Sequence, residues 1–198
     1  GHAHPVRRKG YTVIAVLYVD EKGPYVKMPG VEAWGETRGG QSYAGPHPIV
    51  AHPPCGPWGL CRDMCYLQDA SLAPIAVEQV RRWGGVLEHP VGSRLWKHAG
   101  LPPPGKSDPW GVTVRVEQVS WGHACRKPTL LYCVGVDRAF LARTLRTGGT
   151  PTHKIASRAK RRGLLAPSSA MRRRTPPDFA DWLVALAETA WDWSIRLD

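Results

Sequence analysis

Pro48-Ile49-Val50-Ala51-His52-Pro53-Pro54-Cys55-Gly56-Pro57-Trp58-Gly59 is the stretch from which the fold is read. Ile49 to Ala51 is a short apolar run of the kind a buried strand uses. That strand must stop at Pro53-Pro54, because proline has no N–H to give to a sheet ladder. Gly56-Pro57 then keeps the chain in a loop. The thiol of Cys55 is thus presented on a stiff loop at the carboxyl end of a strand, where open α/β sheets collect ligands and chemistry. A cysteine in that place is a nucleophile, a metal ligand or an inert buried thiol, and the rest of the chain has to choose.

Upstream, Tyr11 to Val19 is largely β-branched and aromatic and reads as a central strand, apolar on both faces. It ends in the turn Asp20-Glu21-Lys22-Gly23-Pro24, and Val31 to Trp34 forms a short second strand. Downstream, Gln68 to Trp83 is helical by period, with Leu72, Ile75, Ala76, Gln79 and Val80 near one face, and Gly84-Gly85 stops it. Gly85 to Pro90 repeats the opening design, a buried strand that ends in Glu88-His89-Pro90. Val91 to His98 reads as a short helix and Leu101 to Trp110 as a Pro-rich loop. Val112 to Val119 alternates apolar and polar, and Thr129 to Val136 is another apolar strand. Asp137 caps a helix running to about Leu145. A last helix runs from Pro177 to Ala190, with Phe179, Leu183, Leu186 and Ala187 on its stripe. Strands alternating with helices predict an α/β fold with a mostly parallel sheet, and 198 residues suit a single domain.

The charge balance points to a polyanion. There are 27 Lys and Arg against 16 Asp and Glu, a formal net charge of +11. The excess is clustered: from His153 to Arg174 the chain carries Lys154, Arg158, Lys160, Arg161, Arg162, Arg172, Arg173 and Arg174 and no acid. Such a segment suits phosphate contacts more than base reading. No apolar run is long enough for a membrane span, and no charged-then-apolar secretory start is present. Five cysteines without small-scaffold spacing predict a reduced, cytoplasmic setting.

Neither of two metal arrangements fits the residues well. His52, Cys55, Cys61 and Cys65 run His-x2-Cys-x5-Cys-x3-Cys, without the tight Cys-x2-Cys pairing of most structural zinc sites. A zinc deaminase needs His-x-Glu ahead of Pro-Cys-x2-Cys, and neither half is present. No metal is expected.

Three pieces do line up: Cys55 after one strand, Glu88 at the end of a second, and Arg126 in the turn Trp121-Gly122-His123-Ala124-Cys125-Arg126-Lys127 before a third. A thiol, a carboxyl and a guanidinium at neighbouring strand ends suit attack on an electron-poor ring. The thiolate adds to C6 of a pyrimidine, the carboxyl hydrogen-bonds the ring at N3, and the arginine holds the carbonyl oxygen. Addition makes C5 a carbon nucleophile able to take a one-carbon group. His89 and His123, each beside one of these pieces, could assist proton transfer.

On these residues the chain resembles the DNA cytosine-5 methyltransferases. Pro53-Pro54-Cys55 is similar to that family's nucleophile motif, and Glu88-His89-Pro90 to its Glu-Asn-Val motif. Gly122 to Gly135, with Arg126 inside, is similar to its Gly-x-Pro-Gln-x-Arg-x-Arg segment, and Arg172-Arg173-Arg174-Thr175-Pro176 to its Arg-x-Leu-Thr-Pro segment. The order along the chain is the family's. The resemblance implies a Rossmann-like methyltransferase-type domain over residues 1–198, with 137–171 as a small basic target-recognition-like insert. It implies DNA as partner, a flipped target base, and Cys55, Glu88 and Arg126 as catalytic residues. Arg158, Lys160, Arg161, Arg162, Arg172, Arg173 and Arg174 would contact DNA, and Trp58 and Trp121 are candidates to stack on the base.

The departures are specific. The family's Asp-x-Phe-x-Gly-x-Gly loop, which holds S-adenosylmethionine, has no counterpart in Val19-Asp20-Glu21-Lys22-Gly23-Pro24-Tyr25. Asp20 and Tyr25 occupy that place as the cofactor-binding candidates. Gly56 follows Cys55 where the family has mostly Gln, His89 replaces Asn, and Pro128 stands where a second Arg is expected. The donor is therefore S-adenosylmethionine in a reduced site or methylenetetrahydrofolate, the latter giving a hydroxymethyl product. The alternative is a DNA-binding relic that flips a base without transfer. A trimmed modifier of this kind would suit a phage genome.

Overall fold

The computed structural model describes residues 12–59, 68–154 and 163–193. Among the described residues there are six strands: β1 (Ile14–Leu17), β2 (Val31–Trp34), β3 (Ile49–Ala51), β4 (Gly85–Pro90), β5 (Gly111–Glu117) and β6 (Pro128–Val134). They form one sheet in the order β2-β1-β3-β4-β6-β5. Five α-helices accompany them: α1 (Leu72–Trp83), α2 (Leu95–His98), α3 (Arg138–Thr144), α4 (Ser169–Arg173) and α5 (Pro177–Glu188). The protein is α/β, but the sheet is mixed, which corrects the expectation of a mostly parallel one. β2, β1, β3 and β4 run parallel, whereas β6 lies antiparallel to both β4 and β5. The cause is the connection from β5 to β6 over residues 118–127, which holds only a short 3-10 turn. A parallel crossover needs a dozen or more residues, so the chain turns straight back.

Helix positions follow from the strand alternation. Ile14, Val16, Val50, Val86, Leu131 and Cys133 face one side of the sheet, where α5 buries Phe179, Leu183, Leu186 and Ala187. Ala15, Leu17, Ile49, Ala51, Leu87 and Tyr132 face the other, where α1 buries Ala73, Ala76, Val77 and Val80. Each fully buried Leu or Phe stabilises this arrangement by roughly 1.5–3 kcal/mol. The predicted stripe of α5 is thus the core stripe. Asp137 caps α3 as expected, its carboxylate accepting from the Ala139 and Phe140 amides at 2.8 and 3.0 Å. β1 is shorter than its apolar run, α1 starts later than Gln68, and α2 comprises only the end of the expected Val91–His98 helix.

The topology places the chemistry-bearing residues together. The carboxyl ends of β1, β3, β4 and β5 and the amino end of β6 all lie on one edge of the sheet. The strand order reverses at β1, which has β2 on one side and β3 on the other. The crevice beyond the carboxyl ends of β1 and β3 is therefore the switch point of the sheet.

Candidate active site at the carboxyl edge of the sheet

β3 and β4 are parallel neighbours paired through Ala51 and Leu87. The next residues, His52 and Glu88, therefore stand side by side. Nδ1 of His52 lies 3.0 Å from Oε2 of Glu88, and their side chains are only 12% and 13% exposed. The hydroxyl of Tyr25, which follows β1, lies 2.7 Å from Nε2 of the same imidazole. The amide of Gln118, which follows β5, donates to Oε1 of Glu88 at 3.1 Å and to Oγ1 of Thr129 at 3.0 Å. Five strands thus contribute to one chain of hydrogen bonds: Tyr25, His52, Glu88, Gln118 and Thr129.

Charge reinforces the geometry. Burial alone would raise the Glu88 carboxyl. The hydrogen bond and charge of His52, with Lys127 and His89 beyond it, outweigh burial and hold the carboxyl down at about 2. Glu88 is a carboxylate at neutral pH, so in the neutral imidazole the proton sits on Nδ1 and Nε2 accepts from Tyr25. Burial pushes the Tyr25 hydroxyl well up, with Glu88 and Asp181 adding to it, so the phenol keeps its proton. His89, next along β4, lies on the opposite face and is 1% exposed, with Nδ1 at 2.7 Å from Oγ of Ser93. Burial lowers it to about 4 against the pull of Glu88 and the Pro53 and Pro54 carbonyls, so it is neutral.

Cys55 is exposed and opens a 3-10 turn, Gly56–Trp58. Arg126 reaches the same edge but is half-exposed, with Nε 3.2 Å from Oε2 of Glu117. The cation acting on Glu88 is its neighbour Lys127, whose ammonium donates to the Arg174 carbonyl at 3.1 Å. That contact brings the start of Arg174-Thr175-Pro176 against the site. Arg172 and Arg173 are exposed on α4, while Arg158, Lys160, Arg161 and Arg162 lie outside the described residues.

Three further expectations meet the structure. Trp121 is 2% exposed and packs on Phe179 and Trp182 at 5.2 and 4.6 Å between ring centroids, so it is a core residue and not a stacking platform. Trp58 is partly exposed, its ring 4.9 Å from His98 and its indole N–H on the Ala70 carbonyl. His123 is 5% exposed and its Nδ1 accepts from the Cys125 amide at 2.9 Å within its own turn, while its Nε2 is buried without a hydrogen-bond partner among the described residues. Cys61 and Cys65 lie outside the described residues, and among the described residues no three His, Cys, Asp or Glu gather as metal ligands. No helix of the described residues is long and apolar enough to cross a membrane. A cleft of about 490 Å³ beside α1, lined by Ile75, Glu78, Arg82 and Trp83, shares no residue with the Cys55–Glu88 edge.

The residues of the β1–β2 connection do not form an S-adenosylmethionine cradle. A dinucleotide- or nucleoside-binding crossover presents a glycine-rich turn and the N–H groups of a helix start. Here β1 is followed by a turn and a four-residue 3-10 segment, Pro24–Lys27. Asp20 is exposed and turns back to accept from the Lys22 amide at 2.9 Å. Tyr25 is 2% exposed, and its bond to His52 spans the switch-point crevice from β1 to β3. The sequence pointed to Cys55, Glu88, Arg126 and Tyr25 but missed Gln118 and Lys127, and it considered His52 only as a metal ligand. No family model, no curated protein and no solved structure matches the chain.

Proposed function

We propose that the chain is a DNA-directed transferase that places a one-carbon group, methyl or hydroxymethyl, on C5 of cytosine through a Cys55–C6 adduct. Its sheet would be a Rossmann-like methyltransferase-type sheet, shortened at the cofactor end. The observation that carries the reading is the sheet order, which brings Cys55, Glu88 and Arg126 from three separate segments to one edge.

The chemistry follows from the residues. Sγ of Cys55, as thiolate, bonds to C6 of a base extruded from the stack, and the C5=C6 electron pair moves onto C5. Glu88 in its protonated form hydrogen-bonds N3 and spreads the charge. Among the described residues Arg126 pairs through Nε with Glu117, and its terminal N–H groups would take the carbonyl oxygen of the ring. C5 takes the one-carbon electrophile. Loss of the C5 proton to a base would then expel tetrahydrofolate and leave an exocyclic methylene, and water would add to that carbon as the C5=C6 bond re-forms and the Cys55 thiolate leaves. Because Asp20 to Tyr25 form no S-adenosylmethionine cradle, methylenetetrahydrofolate is the donor that stays in the proposal. Arg172, Arg173 and Arg174 would meet phosphates, and Trp58 is the remaining stacking candidate.

The bond that Tyr25 makes across the crevice favours one rival, a DNA-binding relic that flips the base without transfer. DNA carrying 5-fluorocytosine separates the two. With methylenetetrahydrofolate or S-adenosylmethionine, the transferase yields a denaturation-resistant covalent complex that disappears in Cys55→Ala. A wild-type chain that binds this DNA yet forms no complex with either donor is the relic.

A further inference from the structure

The bonds at His52 have a meaning that neither the nucleophile nor the carboxyl explains alone. We infer that His52 is a positioning residue that holds, and hands over, the proton Glu88 needs in order to hydrogen-bond N3 of the flipped pyrimidine. The inference rests on the transferase reading of Cys55 and Glu88.

N3 of cytosine is an acceptor, and an ionised carboxylate is acceptor-only, so the two repel until Glu88 gains a proton. The surroundings keep that proton off: His52, Lys127 and His89 all favour the carboxylate. Nδ1 of His52 is 3.0 Å from Oε2, close enough and suitably directed for transfer. Starting from the imidazolium, the Nδ1–H bond breaks and an O–H bond forms on Oε2. One proton moves and the opposite charges cancel. His52 is left neutral with its hydrogen on Nε2, facing the Tyr25 oxygen at 2.7 Å. The new O–H on Oε2 then turns from Nδ1 toward N3, while Oε1 keeps its bond to Gln118, so the carboxyl stays in place as it changes state. A neutral imidazole has no such proton to give, since Nδ1–H then only holds the carboxylate.

The groups facing this pair come from every neighbouring element. Tyr25 faces it from the β1–β2 connection, and Asp181 of α5 acts on Tyr25. Lys127 and Gln118 face it from the β5–β6 connection, and His89, on the opposite face of β4, acts on Glu88 through its charge alone. Burial keeps both Tyr25 and His89 neutral near pH 7. The imidazole of His52, which is 12% exposed and can exchange with solvent, is left as the proton carrier.

Three readouts test this. In the unaltered protein, nitrogen NMR at alkaline pH is expected to show His52 protonated on Nδ1; an Nε2–H tautomer would overturn the inference. Carboxyl-carbon NMR is expected to find Glu88 titrating at about 2. In His52→Gln, whose amide can still bond the carboxylate but carries no charge, it is expected to move up by about one unit or more, a tenfold change in proton affinity. An unmoved Glu88 titration would sink the idea. The ratio of adduct rates of the wild type and His52→Gln on 5-fluorocytosine DNA, in which the ionisation of Cys55 cancels, is expected to fall toward alkaline pH. A variant that keeps the wild-type slope would equally overturn the role. Should the unaltered protein form no adduct at any pH, the transferase reading fails, while the two NMR readouts still decide whether His52 governs the Glu88 proton.

Discussion

Two neighbours on β4 share an acid sensitivity by different means. Glu88 is held ionised by His52, down from 4.5 to about 2, and His89 is held neutral by burial, down from 6.5 to about 4. Both are depressed, so the unfolded chain binds the protons more readily and both contributions are present above the unfolded values. Stability should fall first between about pH 6.5 and pH 4, as His89 charges on unfolding, and again between about pH 4.5 and pH 2 for Glu88. Each step is on the order of 3 kcal/mol, from about 1.4 kcal/mol per unit. Denaturant midpoints against pH check this. His89→Gln should flatten the upper window and leave the lower one, and an unchanged upper window would refute the assignment. Glu88 was legible in the sequence because an apolar strand ends on it before Pro90. Its partners were not, since Gln118 and Lys127 lie 30 or more residues away and meet it only through β6.

At the scale of elements, the start of β4 depends on one backbone position. Gly85 has φ +113, a region that side chains rarely adopt, and a Cβ there would collide with the backbone carbonyl of Ile49 on β3. Gly85→Ala should therefore separate β3 from β4 at their amino ends, costing more than about 2 kcal/mol. Gly92, where an added Cβ meets nothing within 4 Å, is the control: Gly92→Ala bears only its own φ of +89. Thermal or denaturant unfolding of the two variants checks the ranking, and equal losses would count against the β3 clash. Gly84-Gly85 was readable as a helix stop. That its second glycine also sets the distance between two strands was not, because the colliding carbonyl lies far away in sequence.

At the scale of the molecule, the charge of +11 is not spread evenly. Arg172 and Arg173 on α4 are exposed beside Lys127, on the edge that carries Glu88. If this edge receives DNA, binding should be dominated by counterion release. About six phosphate contacts imply a loss of roughly a thousandfold in affinity between about 50 mM and about 200 mM salt. Arg172→Gln with Arg173→Gln should lower the steepness of that plot and weaken all sequences alike. Filter binding or anisotropy across salt measures it, and a flat plot would remove DNA as the partner.

Local patterning alone determined the kinds of element. Prolines ended β3, a glycine pair ended α1, Asp137 began α3, and the period of α5 marked its core face, because each effect acts within a few residues. Only the tertiary structure decided the direction of β6, the place of Trp121 in the core and the partners of Glu88. Antiparallel insertion is set by the length of one connection and by which edges remain to be paired. Burial depends on what packs from elsewhere. The hydrogen-bonded chain from Tyr25 to Thr129 needs strands separated by up to a hundred residues to end on one line. Cys55, marked by its own sequence as a presented thiol, follows His52 on the loop after β3 and is exposed there.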